Sequence, residues 1–221
     1  MITVIYFWKI PRKYFLWALL HMGLDRLSLN RNKKIEFWKL LGTGKGETFT
    51  PKDADIQRWG LLITIPESEL ASFDSSRLVK RWHQKSLKRY RVVLKNISVQ
   101  GKWSKAEPFK SDLFDPPWNG KIVALTRARI KWLKNPIFWR SVPPVTVSLK
   151  SATGLISAIG IGEAPLGLQG TFSIWESNAA VRAFAYQGEA HKAAIAATAR
   201  ERWYSEELFA RFAVISESGS L

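Results

Sequence analysis

The sequence predicts an α+β protein made of two fused ferredoxin-like (βαββαβ) halves that form an α+β barrel. Three observations carry this reading. Strand-like runs, alternating or β-branched, interleave with runs of 3.6-residue apolar period, in an order that repeats once along the 221 residues. Each half holds a Gly-x-Gly after its second strand, Gly42-Thr43-Gly44 and Gly160-Ile161-Gly162. Between the halves lies SKAEPFKSDLFDPPWNG, a stretch rich in Pro and turn residues. The expected division is a first half over 1–103, a linker over 104–120 and a second half over 121–221.

In order, the pattern predicts a strand over 3–8, an amphipathic helix over 11–29, and strands over 35–41 and 58–65. A helix over 75–88 follows, with Ser75 or Ser76 as its cap, and then a strand over 90–97. The second half repeats this with a strand over 121–130 and a helical stretch from about 132 that Pro143-Pro144 bends or ends. Strands over 155–161 and 170–175, a long helix over 178–202 and a strand over 207–215 complete it. Neither Gly-x-Gly leads into a helix or a Gly-Lys-Ser/Thr, so neither is a phosphate loop. Both are read as bulge or close-approach positions. Two such units pressed together leave room for a ligand between sheet and helices.

Composition excludes several classes. With 46% hydrophobic residues the chain can bury a full core. It has no cysteine, which removes disulfides, thiolate metal sites and cysteine nucleophiles and suits a cytoplasmic protein. The apolar start, MITVIYFWKIPRKYFLWALL, is interrupted by Lys9, Pro11, Arg12 and Lys13, short of the ~20 residues a membrane span needs. It also lacks the charge order of a signal peptide. The net charge is +16, and residues 75–106 hold ten Lys or Arg and no acid. Such a surface attracts polyanions. No nucleic-acid motif accompanies it, so specific nucleic-acid binding is not expected. Peripheral contact with an anionic inner-membrane surface or an acidic partner is the preferred expectation, beside an ordinary solvated face.

Only three histidines are present, His21, His83 and His191. The helix expected over 178–202 holds ten alanines between 179 and 199, and Phe184, Gly188, His191 and Ile195 share one face. A neutral imidazole on a small-residue face suits the proximal side of a haem iron, and Gly188 leaves space for a flat macrocycle. A hydrogen-bonded structural histidine fits the same pattern, and alanine is the best helix former in any case. His83 lies in the basic run KRWHQKSLKR, and His21 follows LWALL. No zinc, non-haem iron or serine-nucleophile pattern occurs.

Seven segments, in order, then resemble the spheroidene monooxygenase family of carotenoid-modifying enzymes. They are FWKLLGTGKGETFTP (37–51), GKWSKAEPF (101–109), ALTRARI (124–130), FWRSVPP (138–144), GLISAIGIGEAPLGLQGTFSIW (154–175), FAYQGEAHKAAI (184–195) and WYSEELFARF (203–212). The resemblance implies a haem b monooxygenase that oxidises an activated methylene of a long apolar substrate such as a carotenoid. Two hydroxylations at one carbon would give a gem-diol and then a ketone, using dioxygen and an electron donor such as ferredoxin. It implies His191 as axial iron ligand, and Arg127 and Arg140 as partners of the haem propionates, an ordinary ion pair being the alternative for each. It also implies Gln169, Thr171 and Ser173 as residues facing bound oxygen. Glu163 is read as a loop-fixing residue. Other expectations compatible with the barrel are a haem lyase or dehydratase, a cofactor-free monooxygenase, and a non-enzymatic haem- or membrane-surface-binding protein.

Overall fold

In the computed structural model, residues 1–45, 53–115, 117–134, 148–149, 151–163, 168–187, 200–201 and 203–221 are described. Eight antiparallel strands close into a barrel in the order β1-β3-β2-β6-β7-β5-β8-β4. The first half supplies β1 (Ile2–Lys9), β2 (Phe37–Gly44), β3 (Ala54–Ile65) and β4 (Lys88–Gly101). The second supplies β5 (Ile122–Ile130), β6 (Leu155–Gly162), β7 (Leu168–Trp175) and β8 (Tyr204–Gly219). Each half therefore runs 4-1-3-2, the ferredoxin-like order, and the halves join through β2–β6 and β4–β8.

The Gly-x-Gly motifs form the first of these joints. They lie inside the strands rather than after them. Gly42 pairs with Gly162 and Thr43 with Ile161, and the β2–β3 register shifts between Gly42 and Thr43. The bulge reading of these glycines therefore holds for the first motif.

Residues of all eight strands fill the barrel interior, among them Phe7, Leu62, Val92, Leu125, Ile159, Phe172 and Phe212. Phe172 meets Phe7 edge-on with ring centroids 5.2 Å apart. The linker expected over 104–120 does more than connect. Phe109, together with Trp103 just before it, is buried in this core. With the interior so packed, the outer faces of the sheets, under the helices, are the better place for a ligand.

Four α-helices cover the outer faces among the described residues: α1 (Phe15–Arg31), α2 (Leu70–Asp74), α3 (Arg77–Lys85) and α4 (Asn178–Gln187). The helix expected over 75–88 is α3, which ends at Lys85, and α2 before it is a short helix that the pattern did not predict. Ser76 then caps α3 by accepting from the Val79 N–H at 3.3 Å. The helix expected over 178–202 is described only to Gln187, and at 200–201. β4 and β8 outrun the alternation-based limits because they pair with each other along most of their length. β1 is buried on nearly every residue, since core lies on both sides of it.

The expectation of an amphipathic first helix needs correcting. α1 buries Ala18, Asp25 and Leu29 against the first sheet, yet leaves Leu16, Leu19, Leu20, Leu24 and Leu27 exposed. Its one acid faces inward and its leucines face both ways.

Candidate active site

The outer faces of the two sheets are built differently. Matching the halves at their Gly-x-Gly motifs sets Gly42, Trp59 and Trp8 in the first sheet against Gly160, Thr171 and Thr126 in the second. The next row sets Leu40, Leu61 and Tyr6 against Ala158, Ser173 and Ala124. The first face is thus filled by large side chains packed under α1 and α3, with Trp8 stacked on Tyr6 and on Trp82. The second is a shelf of small ones. Ala128, opposite Gln169 on β7 and Glu207 on β8, continues that shelf.

Thr126, Ala128, Gly160 and Thr171 make a floor of small residues that a planar group could approach, while Ala124 and Ala158 pack under α4 with Val181. One end is walled by Trp175, whose ring lies 5.3 Å from Phe184 of α4. Ser177 holds the start of α4 by accepting from the Ala180 N–H at 3.2 Å. Gly170 keeps β7 tight against β5 under the shelf: a Cβ there would lie 2.1 Å from the Thr126 carbonyl oxygen.

Strand alternation sends Gln169, Thr171 and Ser173 to the shelf face, as Phe172 and Ile174 point into the barrel. Their chemistry differs. The Ser173 hydroxyl donates to the Ala124 carbonyl at 3.2 Å and accepts from the Trp175 indole N–H at 2.9 Å, so both its roles are used. Gln169 is buried at the shelf's other end. Thr171 stands half-buried mid-shelf, and its backbone N–H donates to Thr126 Oγ1 at 3.2 Å. His191, Gly188 and Arg140 lie outside the described residues.

Arg127 is not on the shelf. It shares its phase with Val123 and Leu125 and points into the barrel, where its side chain is 2% exposed. Its guanidinium pairs with both Glu163, at 3.0 Å, and Glu206. Glu163 also binds Lys39 at 2.7 Å and accepts from the Trp103 indole N–H at 2.7 Å. The Glu206 carboxylate accepts from the backbone N–H groups of Ser104 and Lys105, two residues held at positive φ. Arg127 is thus the ordinary ion pair rather than the propionate partner: two carboxylates already occupy it on the wrong side of the sheet. Burial alone would push the Glu163 carboxyl up. Lys39, Trp103 and Arg127 outweigh that and hold it below the usual carboxylate value. For Glu206, burial is likewise outweighed, by the two backbone donors and Arg127.

The cation that does stand on the shelf face is Arg211, paired across β8 with Ala124. Its counterpart in the first sheet, Arg91, forms a two-bond pair with Asp74 at 2.6 and 3.0 Å. Arg211 meets only neutral oxygens among the described residues, Ser98 Oγ and Asn178 Oδ1, both at 2.9 Å. Sequence reading passed over it, although it sits within WYSEELFARF two residues from Phe209, on the same strand face.

The other histidines are elsewhere. His21 lies 3.2 Å from Asp25 and packs on Trp17, and His83 packs on Trp8; both belong to the first half's helical layer. Burial, then the Arg89 charge, lowers the His83 pKa. Among the described residues no three His, Asp or Glu side chains are grouped to hold a metal. A depression of about 230 Å³ opens between the C-terminal end of α1 and the start of α3, lined by Asn32, Lys34, Ser76 and Arg77 among others. It too belongs to the first half and not to the shelf.

The chain is 36% identical over 207 residues to a spheroidene monooxygenase of Rhodobacter capsulatus, spanning 92% of this chain and 86% of that protein. It is 35% identical over 208 residues to a spheroidene monooxygenase of Cereibacter sphaeroides, spanning 92% of this chain and 63% of that one. A third, from Rubrivivax gelatinosus, is 34% identical over 186 residues, covering 83% of this chain and 70% of its own length. No family model matches. Among solved structures, aldoxime dehydratase superposes with a TM-score of 0.61 at 9% identity, over 96% of this chain and 80% of that one, a likeness of fold alone.

Proposed function

This chain belongs to the spheroidene monooxygenase family and is an oxygenase; from that premise we propose that it is haem-dependent and oxidises a long apolar polyene of the carotenoid class. The observation that carries the reading is the small-residue shelf on the outer face of the second sheet, where the equivalent face of the first is filled with tryptophan and leucine. The residues present fit a haem. The floor is built of small residues, Arg211 meets no carboxylate among the described residues, and His21 and His83 are tied into the opposite layer. His191, four residues beyond the last described residue of α4, is the one imidazole left to serve.

Haem, when bound, supplies the activation of dioxygen needed to oxidise an unreactive C–H bond. The chain's residues do the rest. His191 would hold the iron through a neutral imidazole, and Gly188, three residues earlier in the chain, has no side chain to crowd it. Arg211 and Arg140 would receive the propionate carboxylates. Thr171, half-buried in the middle of the shelf, would present its hydroxyl above the floor as a hydrogen-bonding group, while Ser173 keeps Trp175 in place as the apolar end wall. Phe209, opposite Thr126 on β8, gives the polyene an apolar contact beside the shelf. Each hydroxylation consumes one dioxygen, two electrons and two protons and releases one water. A second at the same carbon gives a gem-diol that loses water to the ketone. An external one-electron donor such as reduced ferredoxin supplies the electrons.

The test is an absorption spectrum of chain expressed with added haem. A Soret band that shifts with dithionite and carbon monoxide is expected. His191→Ala should lose it while circular dichroism stays unchanged. Wild-type protein with no Soret band overturns the haem reading.

A further inference from the structure

We propose that α1 and α3 form a docking surface for an anionic lipid bilayer, with the outward leucines of α1 entering the headgroup–acyl boundary and the cations of α3 and the α1 ends binding lipid phosphate. The observation is the outward face of α1. Leu16, Leu20, Leu24 and Leu27, with Leu19 beside them, fall on one helical stripe and are 74%, 60%, 47%, 55% and 53% exposed. A run of five exposed leucines on one helix is far from the scattered single apolar residues of an ordinary surface.

Charge selects the occupant. Residues 9–34 carry seven Lys or Arg and a single acid, Asp25, while residues 77–89 carry six Lys or Arg and no acid. Asp25 is buried, accepting from Arg81 at 2.5 Å and from the Trp82 indole at 2.7 Å, which fixes α1 beside α3. The two helices thus present leucines and cations with no outward carboxylate. Tyr14, at the entry to α1, lies under Lys13 and Lys85 at 5.3 and 4.6 Å, so the helix enters among cations. A second copy of this chain would bring the same patch against itself, cation rim on cation rim. A bilayer with anionic headgroups meets both the leucines and the charge. Among the described residues no helix is long and apolar enough to cross a membrane, so α1 lies on the surface rather than spanning it. This surface differs from the one expected over residues 75–106: the apolar contribution comes from α1, and only α3 and the start of β4 are shared.

The inference stands apart from haem and turnover, because vesicle flotation of the full chain tests it directly. With phosphatidylcholine vesicles containing about a third phosphatidylglycerol, binding is expected and should fall as salt rises. The double variant Leu20→Ser/Leu24→Ser should bind at least about tenfold more weakly. Its melting temperature should stay that of wild type, because these side chains are exposed. Arg77→Glu/Lys80→Glu should weaken binding to the anionic vesicles by more than about tenfold. Wild type that ignores anionic vesicles, or a leucine variant that binds as wild type does, overturns the proposal. So does a lipid-free dimer that the leucine substitutions dissociate, since the face would then be a subunit interface.

Discussion

Arg127 shows what one strand position can and cannot disclose. In ALTRARI it shares its phase with Val123 and Leu125, so its direction follows from theirs. Both faces of a barrel strand are covered, however, and alternation does not say which face is the interior. The partners, Glu163 and Glu206, are 36 and 79 residues away in sequence, beyond any local pattern. Local pattern therefore marks Glu163 only as a loop residue, whereas it joins Lys39, Trp103 and Arg127 at one barrel end. Five of the segments that carry the family resemblance send a residue to this cluster. Because Arg127 is nearly inaccessible, Glu163→Gln should cost about 2–3 kcal/mol at neutral pH, by leaving a buried cation half-compensated. The pH dependence has a definite sign. A carboxylate held below its unfolded value of about 4.3 contributes fully above that value, and the contribution is lost as pH falls through the folded value. Urea unfolding of both proteins should therefore show a gap that is constant near neutrality and closes below about pH 4. A gap that does not change with pH would refute the ion-pair account.

At the scale of elements, the order of strands and helices was legible, and α1 was the instructive exception. Five of its leucines lie on the exposed side while Ala18, Met22 and Leu29 pack inward, so apolar residues line both faces and their periodicity does not mark the buried one. The one polar signal misleads, because Asp25 marks the buried side. There it accepts from Trp82 and Arg81 on α3 and lies 3.2 Å from His21 Nδ1 one turn earlier. Only the partner helix reveals that a carboxylate belongs inside. α2 escapes sequence reading because five residues, Leu70–Asp74, are too few to show a 3.6-residue period, whereas Ser76, one of the two expected caps, does start α3. Asp25 is thus a clamp between two elements. Asp25→Ala leaves the buried Trp82 N–H without its acceptor and takes the partner from Arg81, whose side chain is 36% exposed, a loss of about 3 kcal/mol. For a chain of this size that lowers the melting temperature by roughly 10 °C. A shift of a degree or less in a thermal melt would show that α1 is held by its apolar contacts alone.

Across the whole molecule, two halves with one topology have divided their work, and side-chain volume records the division. The first half closes its outer face with Trp8, Tyr6, Trp59 and Leu61, and its helices hold that face shut. The second carries Ala124, Thr126, Ala128, Ala158, Gly160 and Thr171 at the corresponding places. The repeat itself could be read from the chain, and so could the small residues, but their alignment into one floor needs the register of three strands. The helix that carries His191 stays a sequence-based expectation beyond Gln187. If the halves are specialised in this way, equal changes in bulk should have opposite consequences. Trp8→Ala opens a void in a packed face and should cost about 3–5 kcal/mol, with haem content per folded molecule unchanged. Ala128→Phe adds bulk where the floor is open. It should leave the melting temperature within about 2 °C of wild type yet reduce haem uptake about tenfold or more, since a ring standing on the floor excludes a flat macrocycle. Titrating haem into the two purified variants and following the Soret absorbance separates the cases. Wild-type haem uptake by Ala128→Phe, with the fold intact, would mean that the shelf is not where the macrocycle lies.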